Sequence, residues 1–491
     1  MDLIWFKKDL RIQDHRPLAA ASKGPGCLCV YVYEPEVITA PEHSVSHLKF
    51  LNESLRSLHE SLSTIGSGLH VLIGKVPDVF DILLKTYRFN RIFSHEETGL
   101  NVTYERDVRV ANWCRIRSIS WVEFPQNGVV RALRSRDGWA KAWGAHMSRP
   151  AVQPKALPPA PFKPVFRLYD AAQFELDGLD KVNRQRGGTV EANLTLESFF
   201  AERGENYKTE MSSPLSGATS CSRISPYLSF GAISLRTVYQ RLEYMRSARR
   251  AEMVKNWPGS LQSFGSRLRW HCHFMQKLES EPQIEFLNMN RGFDGMRPDF
   301  DEAKFLAFCR AETGYPMVDA SLRYLYRTGW INFRMRAMLM SFCSYHLWLH
   351  WRRPAIHLAK HFLDFEPGIH YSQSQMQSGT TGINTVRIYS PIKQAVDQDP
   401  DGDFIRSEIP ALRAVPKEFI PEPHKMTVID QKLTGCRIGE DYPLPIVDHK
   451  IAYSEARDRI FQWRKRPEVI ANSQLVQEKH GSRKPAAKRP G

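Results

Sequence analysis

Short apolar runs and amphipathic stretches alternate through the first 125 residues. Between the runs, leucines recur at spacings of three and four from Ser46 to Leu62, which predicts a helix. This alternation predicts a Rossmann-like α/β domain over residues 1–130, with a parallel sheet covered by helices on both faces. The five runs predicted to be strands are Leu3–Phe6, Cys27–Tyr33, Leu69–Ile73, Arg91–Ser94 and Ile119–Phe124.

No GxGxxG follows the first predicted strand, so the usual dinucleotide fingerprint is absent and this domain need not hold the principal cofactor. The charged segment Trp5–Asp14 does follow that strand. A loop at the carboxyl end of a parallel strand suits a ligand crevice or a domain contact, and a salt-bridged turn is the simpler interpretation.

Beyond this domain the composition and the hydrophobic periodicity of the chain change. Residues 131–190 contain many prolines, which remove backbone donors and predict an extended linker. Helical periodicity then dominates residues 191–470, which predicts a large all-helical domain. Residues 471–491 end in small, polar and basic positions and are predicted to be a disordered tail.

Composition narrows the class of protein. The chain has 491 residues, with 68 Lys plus Arg against 53 Asp plus Glu, and its formal charge is +15. This charge favours a polyanionic partner, although a basic enzyme without such a partner would have the same composition. Its eight cysteines form no CxxC pair, so we expect reduced thiols, a cytoplasmic location and no metal site. No apolar run is long enough to span a membrane, and the charged start is not typical of a secretory signal.

Two segments of the second half suit an anionic ligand. Ser216–Leu228 is rich in hydroxyls and leads into a helix, which is typical of a phosphate cradle to which Arg223 adds charge, or of a plain N-cap loop. Arg334 and Arg336 lie in a Met-rich, aromatic helix where unpaired cations are costly. Asp364 is a candidate partner for Arg334, and a phosphate is a candidate partner for either arginine.

A third segment suits an exposed base. Arg267, Arg269 and Trp270 combine cations with an aromatic platform, as stacking beside a phosphate track requires. A buried helix with ordinary aromatic packing explains the same pattern equally well.

Together these segments resemble the photolyase/cryptochrome family, in the right order and over nearly the whole chain. The matching motifs are Trp5–Arg11 (WFKKDLR), Ser222–Gly231 (SRISPYLSFG), Thr313–Ala320 (TGYPMVDA), Thr328–Arg336 (TGWINFRMR) and Asp399–Arg406 (DPDGDFIR). The resemblance implies an α/β domain, a helical domain that binds FAD in a U-shaped form, and a blue-light reaction. In repairing members, reduced flavin passes an electron to a flipped pyrimidine dimer.

The resemblance also assigns roles to residues. It implies an Arg334–Asp364 ion pair beside the flavin ring, Trp270 and His370 as catalytic residues, and His370 facing flavin N5. The residues implied at the DNA or lesion are Arg267, Trp270, Met376 and Arg387. Those implied at FAD are Tyr207, Ser222, Arg223, Ile224, Ser225, His271, Arg334, Arg336, Asp364, Glu366 and His370.

Departures from the family pattern affect the electron relay and the lesion site. Ser374 replaces the flavin-proximal tryptophan and Phe308 the surface one, so only Trp351 of the relay remains. Trp348, Tyr345 and Tyr371 are candidates for another route, and weak photoreduction is the alternative. Arg267 stands where many dimer-repairing members carry a glutamate.

The predicted function is FAD-dependent, light-driven splitting of cyclobutane pyrimidine dimers, the chemistry of a carbon–carbon lyase. The alternatives are a cryptochrome-like photoreceptor and a (6-4) photolyase, which would use His370 or His271. The expected partner is UV-damaged DNA, with the protein a monomer and no membrane contact. An antenna, a folate or a deazaflavin, remains open, with Glu96, Glu97, Arg106 and Asp107 as the region to inspect.

Overall fold

The N-terminal part of the chain is built on a parallel β-sheet. The computed structural model describes residues 1–153, 155–158, 163–251 and 256–482. Its five strands follow the spatial order β3-β2-β1-β4-β5 and pair in parallel throughout, which confirms the predicted Rossmann-like sheet. The strands are β1 Asp2–Phe6, β2 Cys27–Tyr33, β3 Leu69–Ile73, β4 Arg91–His95 and β5 Ser120–Phe124.

Twenty-two α-helices occur in the described residues. They are α1 Arg16–Ala21, α2 Pro35–Ile38, α3 Val45–Ser63, α4 Val76–Tyr87, α5 Asn101–Arg117, α6 Trp139–Met147, α7 Thr189–Ser198, α8 Tyr207–Glu210, α9 Gly217–Ser220, α10 Ser225–Ser229, α11 Leu235–Ala251, α12 Trp257–Ser280, α13 Glu302–Cys309, α14 Pro316–Thr328, α15 Phe333–Ser341, α16 Arg352–His361, α17 Pro367–Ser378, α18 Pro391–Gln398, α19 Asp403–Glu408, α20 Val428–Thr434, α21 His449–Arg464 and α22 Pro467–His480.

Short 3₁₀ and π segments complete the helical part. The 3₁₀ segments are Ala171–Phe174, Pro282–Glu285, Arg291–Phe293, Pro410–Leu412 and Pro423–Lys425, and the π segments are Phe199–Arg203 and Phe342–His346. No strand was assigned in the described residues after β5, which confirms the predicted helical second domain.

The alternation of side chains along β1 explains why helices cover both faces of the sheet. Leu3 and Trp5 pack in one core with α4 and α5, whereas Ile4 and Phe6 pack in another core with the leucine stripe of α3. Successive side chains of a strand point to opposite faces, so one apolar strand serves two cores.

Two boundaries differ from the sequence prediction. The predicted extended linker, 131–190, contains α6, because Trp139, Trp143 and Met147 recur at helical spacing and are buried. The predicted tail from 471 is wrong up to residue 480, because α22 buries Val469, Val476 and His480 against the domain. Residues 483–491 lie outside the described residues, as do parts of the proline-rich segment.

The segment after β1 is a domain contact. Arg11 donates to the Gly231 carbonyl at 3.0 Å, and Asp14 pairs with Arg236 at 2.7 Å. Gly231 has φ +68°, and a Cβ there would lie 2.1 Å from the carbonyl oxygen of Lys8. The two domains therefore meet too closely at this point for any residue except glycine.

Among the described residues, no helix is both long enough and apolar enough to cross a bilayer.

Candidate functional site

One large cavity in the helical domain collects the predicted binding residues. Its volume is about 1060 Å³, at the upper end of the range for small-molecule sites. The predicted site residues that line it are Tyr207, Ser222, Arg223, Ile224, Ser225, Arg267, Trp270, His271, Arg334, Arg336, Asp364, Glu366, His370, Met376 and Arg387. Trp348, Trp351 and Tyr371 lie outside its wall.

The ion pair in this cavity differs from the predicted one. Arg336, not Arg334, binds Asp364, with both Nη atoms 2.9 Å from the two carboxylate oxygens. The two arginines are two positions apart in α15, so their side chains point in different directions. The predicted Arg334–Asp364 pair is therefore wrong.

Asp364 is held as a buried carboxylate. Ser225 Oγ donates to its Oδ2 at 2.6 Å, which ties the start of α10 to the ion pair. Burial favours the neutral acid, but Arg336 and Ser225 outweigh it and keep the pKa of Asp364 below its ordinary value. The site thus carries a fixed negative group beside a bidentate arginine.

Arg223 is tied to the protein around it. Its backbone has φ +59°, its guanidinium lies 4.1 Å from the centre of the Trp330 ring, and it donates to the Ala218 carbonyl at 3.2 Å. This places the hydroxyl-rich turn, Ser222 to Ser225, at the cavity wall.

Several polar atoms in the cavity wall are buried without a hydrogen-bond partner among the described residues, and His271 Nδ1, Glu366 Oε1 and Arg334 Nε are three of them. Burial raises the pKa of Glu366 to about 7 and lowers the pKa of His271 to about 4. Buried polar atoms without partners are costly, so these positions fit a ligand that carries both donors and acceptors.

His370 presents a neutral imidazole to the same cavity. Its Nε2 donates to the Ala355 carbonyl at 2.8 Å, and burial lowers the pKa of His370 to about 4. The ring packs against Phe365 with centroids 5.4 Å apart.

The mouth of the cavity is aromatic and cationic. Trp270 is 45% exposed, and the Arg267 guanidinium lies 4.4 Å from its ring centre. Arg334 and Arg387 continue into an adjoining open cavity of about 520 Å³, which Lys393 also lines. An exposed ring beside a row of cations suits an unstacked base and its phosphates.

The aromatic residues behind the cavity form one connected pair. Trp351 is fully buried, and its ring centre lies 6.1 Å from that of Tyr371. The Tyr371 hydroxyl donates to the buried carboxylate of Glu42. Phe365, a cavity residue, lies 6.3 Å from Tyr371.

Trp348 lies apart from that pair. It is half-buried, and the Arg297 and Arg459 guanidinia lie 4.5 and 5.2 Å from its ring centre. No ring contact between Trp348 and Trp351 is seen in the described part of the chain. Of the predicted alternatives Trp348, Tyr345 and Tyr371, a ring contact with Trp351 is seen in the described residues for Tyr371 alone. Ser374 lines the cavity, and Phe308 is fully buried.

The suggested antenna region is filled by ion pairs. Arg106 binds Glu34 and Glu97 at 2.7 Å and Asp107 at 2.9 Å. The cavity beside Glu96 and Glu97 measures about 30 Å³, far below the volume a pterin or flavin needs. In this structure the region does not fit an antenna.

A buried group near the domain contact has metal-ligand residue types. Asp9, His15 and His95 place their ligand atoms within 4.8 Å of one another. His15 Nε2 lies 2.9 Å and His95 Nδ1 2.8 Å from Asp9 Oδ2, and Leu18 N–H donates to His15 Nδ1. That acceptor role leaves the proton on Nε2, so the geometry is that of hydrogen bonds, not of metal ligation.

Some cavity residues were not predicted from the sequence. Arg136, Trp139 and Lys277 line it, although the first two belong to the supposed linker. Lys277 lies seven positions after Trp270 on α12, so helical spacing was the available signal. The end of α22 also reaches the cavity at Gln477 and His480, where a disordered tail was predicted.

Two family models match the chain. Residues 2–140 match the model described as DNA photolyase, and residues 264–462 match the FAD binding domain of DNA photolyase.

Three curated relatives match at equal identity. The deoxyribodipyrimidine photo-lyase of Alkalihalophilus pseudofirmus is 26% identical over 91% of this chain and 95% of its own. The cryptochrome DASH of Gloeobacter violaceus is 26% identical over 91% and 93% of the two chains. The (6-4)DNA photolyase of Arabidopsis thaliana is 26% identical over 93% and 87%. Equal identity to three kinds of protein does not select among their activities.

Solved structures share the fold. A bacterial class III photolyase from Agrobacterium tumefaciens superposes with a TM-score of 0.82 at 24% identity, covering 95% of this chain and 98% of its own. A Synechocystis cryptochrome gives a TM-score of 0.84 at 24% identity, covering 93% and 98%.

The two matched models account for both domains, and the orphaned polar atoms of the cavity fit a ligand with the donors and acceptors of a flavin nucleotide. The chain belongs to the photolyase/cryptochrome family, and its cofactor is FAD.

Proposed function

We propose that the protein repairs UV-damaged DNA in blue light by splitting cyclobutane pyrimidine dimers. The observation that carries the proposal is Trp270, a ring 45% exposed at the mouth of the 1060 Å³ cavity and bordered by cations. A dimer inside duplex DNA must leave the stack to reach such a cavity, and an exposed ring can stack on the extruded bases.

The residues of the cavity wall have distinct roles in this proposal. Arg336 and Asp364 orient the flavin ring, and Ser225 fixes Asp364. Glu366, whose pKa is raised to about 7 by burial, and His271 supply a polar wall. When bound and reduced, FAD supplies the light-driven electron that splits the dimer.

Cations at the mouth of the cavity position the DNA. Arg334, Arg387 and Lys393 border the adjoining open cavity. Contacts of this kind fix the register of the strand and make binding depend on salt, but they do not read sequence. We propose that the protein acts on DNA as a cytoplasmic monomer.

Tyr371 and Trp351 are proposed as the route by which the flavin is reduced. The family's proximal tryptophan is replaced by Ser374, and the Tyr371–Trp351 contact lies directly behind Phe365 of the cavity wall. Glu42 accepts the hydrogen bond of the Tyr371 hydroxyl, so it is placed to take that proton when the tyrosine loses an electron.

A second candidate function is that of a photoreceptor without repair. It is favoured by Arg267, which lies 4.4 Å from the Trp270 ring centre and so covers one face of the ring on which a lesion would stack.

The test is illumination of the FAD-loaded, chemically reduced protein with oligonucleotides that carry one cyclobutane dimer or one (6-4) lesion. We expect light-dependent recovery of intact thymines from the cyclobutane substrate. Recovery from the (6-4) substrate alone would overturn the assigned lesion, and recovery from neither would support the photoreceptor.

A further inference from the structure

Part of the wall of the large cavity comes from α12, the start of α6 and the end of α22. We call this part the cationic arm and define it by Arg136, Trp139, His273 and Lys277, all of which line the cavity. None of these residues was predicted to bind flavin or lesion.

Lys277 is the residue of the cationic arm whose positive charge has no carboxylate partner among the described residues. It is 4% exposed, and its ammonium lies 5.2 Å from the centre of the Phe274 ring. No carboxylate of the described residues pairs with it. Burial and the nearby Arg136 lower the pKa of Lys277 to about 8, so the amine still carries its charge at neutral pH.

The carboxylate one turn further along α12 is already engaged. Glu281 binds Lys479 at 3.0 Å and His480 at 2.7 Å, at the end of α22. These contacts fasten α22 over the arm and leave the Lys277 charge without a protein counter-ion among the described residues.

Arg136 and His273 add donors. An Arg136 Nη atom donates to His273 Nδ1, which fixes the imidazole proton on Nε2. Burial, Lys277 and Arg136 lower the pKa of His273 to about 3, so the ring is a neutral donor. The Arg136 guanidinium also lies 4.6 Å from the centre of the Trp139 ring.

The start of α6 supplies a further, independent signal. Trp139 is buried, and its Nε1–H has no acceptor among the described residues. Gly138, the N-cap of this nine-residue helix, provides no side-chain cap. The Trp139 N–H donates to the Arg136 carbonyl at 3.2 Å, and no side chain of the described residues caps the N–H groups that follow. A buried indole donor, a buried lysine and a helix N-terminus line the same part of the cavity, and none of the described residues that define the cationic arm is an acid.

We propose that the cationic arm is an oxyanion site that takes a phosphate group. Two sources share this chemistry: a backbone phosphate of the DNA strand that enters at Trp270, and a small free phosphate ester. The first source rests on the proposed function, and the second does not. A phosphate would accept from Lys277, Trp139 and the start of α6, and it would neutralise a charge that the protein leaves unpaired.

The test compares FAD-loaded wild-type protein with the Lys277→Met variant, which keeps a long apolar side chain. Lys85→Met, an exposed lysine on α4, is the matched control. The melting temperature is measured as inorganic phosphate replaces chloride at constant ionic strength. We expect the wild type and the control to be stabilised by phosphate and Lys277→Met to show no response.

A wild-type protein that phosphate stabilises no more than chloride, or a Lys277→Met variant with an undiminished response, would overturn the site. Trp139→Phe, which keeps the ring and removes the indole donor, is the second variant, and we expect it to weaken the response. This measurement uses neither DNA nor light, so it is independent of repair.

The salt dependence of binding to dimer-containing DNA then distinguishes the two sources. If the arm holds a backbone phosphate, Lys277→Met reduces the slope of log K against log salt by about one. If it holds a free phosphate ester, the slope stays at the wild-type value while the phosphate response is lost. Either result supports the oxyanion site.

Discussion

Arg336 and Asp364 form a two-bond ion pair in the cavity wall, with both N–O distances at 2.9 Å and the carboxylate buried. The pair joins α15 to the loop between α16 and α17, and Ser225 extends it to α10. Three separate stretches of chain therefore depend on one carboxylate. This makes Asp364 the position where a single substitution tests the flavin site most sharply.

Asp364→Asn should strip the cofactor. Because the Arg336 side chain is 23% exposed, the loss is closer to that of a hydrogen bond to a charged group, about 1.5–3 kcal/mol, than to that of a fully buried ion pair. We expect the purified variant to show a much lower ratio of flavin to protein absorbance. Asp397→Asn, at an exposed pair with Lys393, is the control and should keep its flavin. Full flavin content in Asp364→Asn would show that the pair does not hold the cofactor.

Trp270→Ala should weaken binding of lesion-containing DNA. Stacking of one base on an aromatic ring is worth about 1–3 kcal/mol, which corresponds to about 5- to 150-fold in affinity. Fluorescence anisotropy with a cyclobutane-dimer oligonucleotide measures the change. Tyr104→Ala, an exposed aromatic on α5, should bind like the wild type. If the two variants bind the cyclobutane-dimer oligonucleotide with equal affinity, Trp270 does not contact the lesion.

Glu366 should make the flavin-free protein less stable at high pH. Burial raises its pKa to about 7 in the folded state, from an ordinary value near 4.5 in the unfolded chain. The folded state therefore binds the extra proton, and its stability falls as pH rises from 4.5 through 7, by about 3 kcal/mol in all.

Glu366→Gln removes this dependence. Thermal unfolding should show the variant more stable than the wild type at pH 8 and close to it at pH 4.5, whereas Glu418→Gln, at an exposed position, should follow the wild type throughout. A Glu366→Gln variant with the wild-type pH profile would mean that Glu366 is ionised in the folded protein.

Tyr371→Phe should slow photoreduction of the flavin. Phenylalanine keeps the ring that contacts Trp351 but cannot release a proton to Glu42. The decay of oxidised-flavin absorbance under blue light with an external reductant measures the rate. Tyr244→Phe, an exposed tyrosine on α11, is the control. If both variants photoreduce at the wild-type rate, the electron follows another route.

Most of the fold was predictable from local patterns in the sequence. The run Cys27–Tyr33 is a strand with those bounds, and the leucine spacing near Ser46 marks α3, because a short apolar run and a period of 3.6 are each visible within one segment. The residues that the family resemblance implied at FAD all line one cavity.

Features that depend on tertiary contacts were not predicted. Arg334 and Arg336 are equivalent in sequence, and only the direction of each side chain on α15 decides which one meets Asp364. The sequence of α22 resembles a polar tail because the helix buries few side chains. One of these is His480, which contacts Glu281. The cationic arm joins α6, α12 and α22, which lie more than a hundred residues apart.

The most direct test of light-driven dimer splitting is a single-turnover repair assay with the fully reduced, FAD-loaded protein and a cyclobutane-dimer oligonucleotide, in darkness and in blue light. We expect intact thymines in the illuminated sample alone, and we expect Trp270→Ala to lower the yield at limiting protein. A protein that holds reduced FAD and binds the oligonucleotide, yet leaves every dimer intact after illumination, would contradict it.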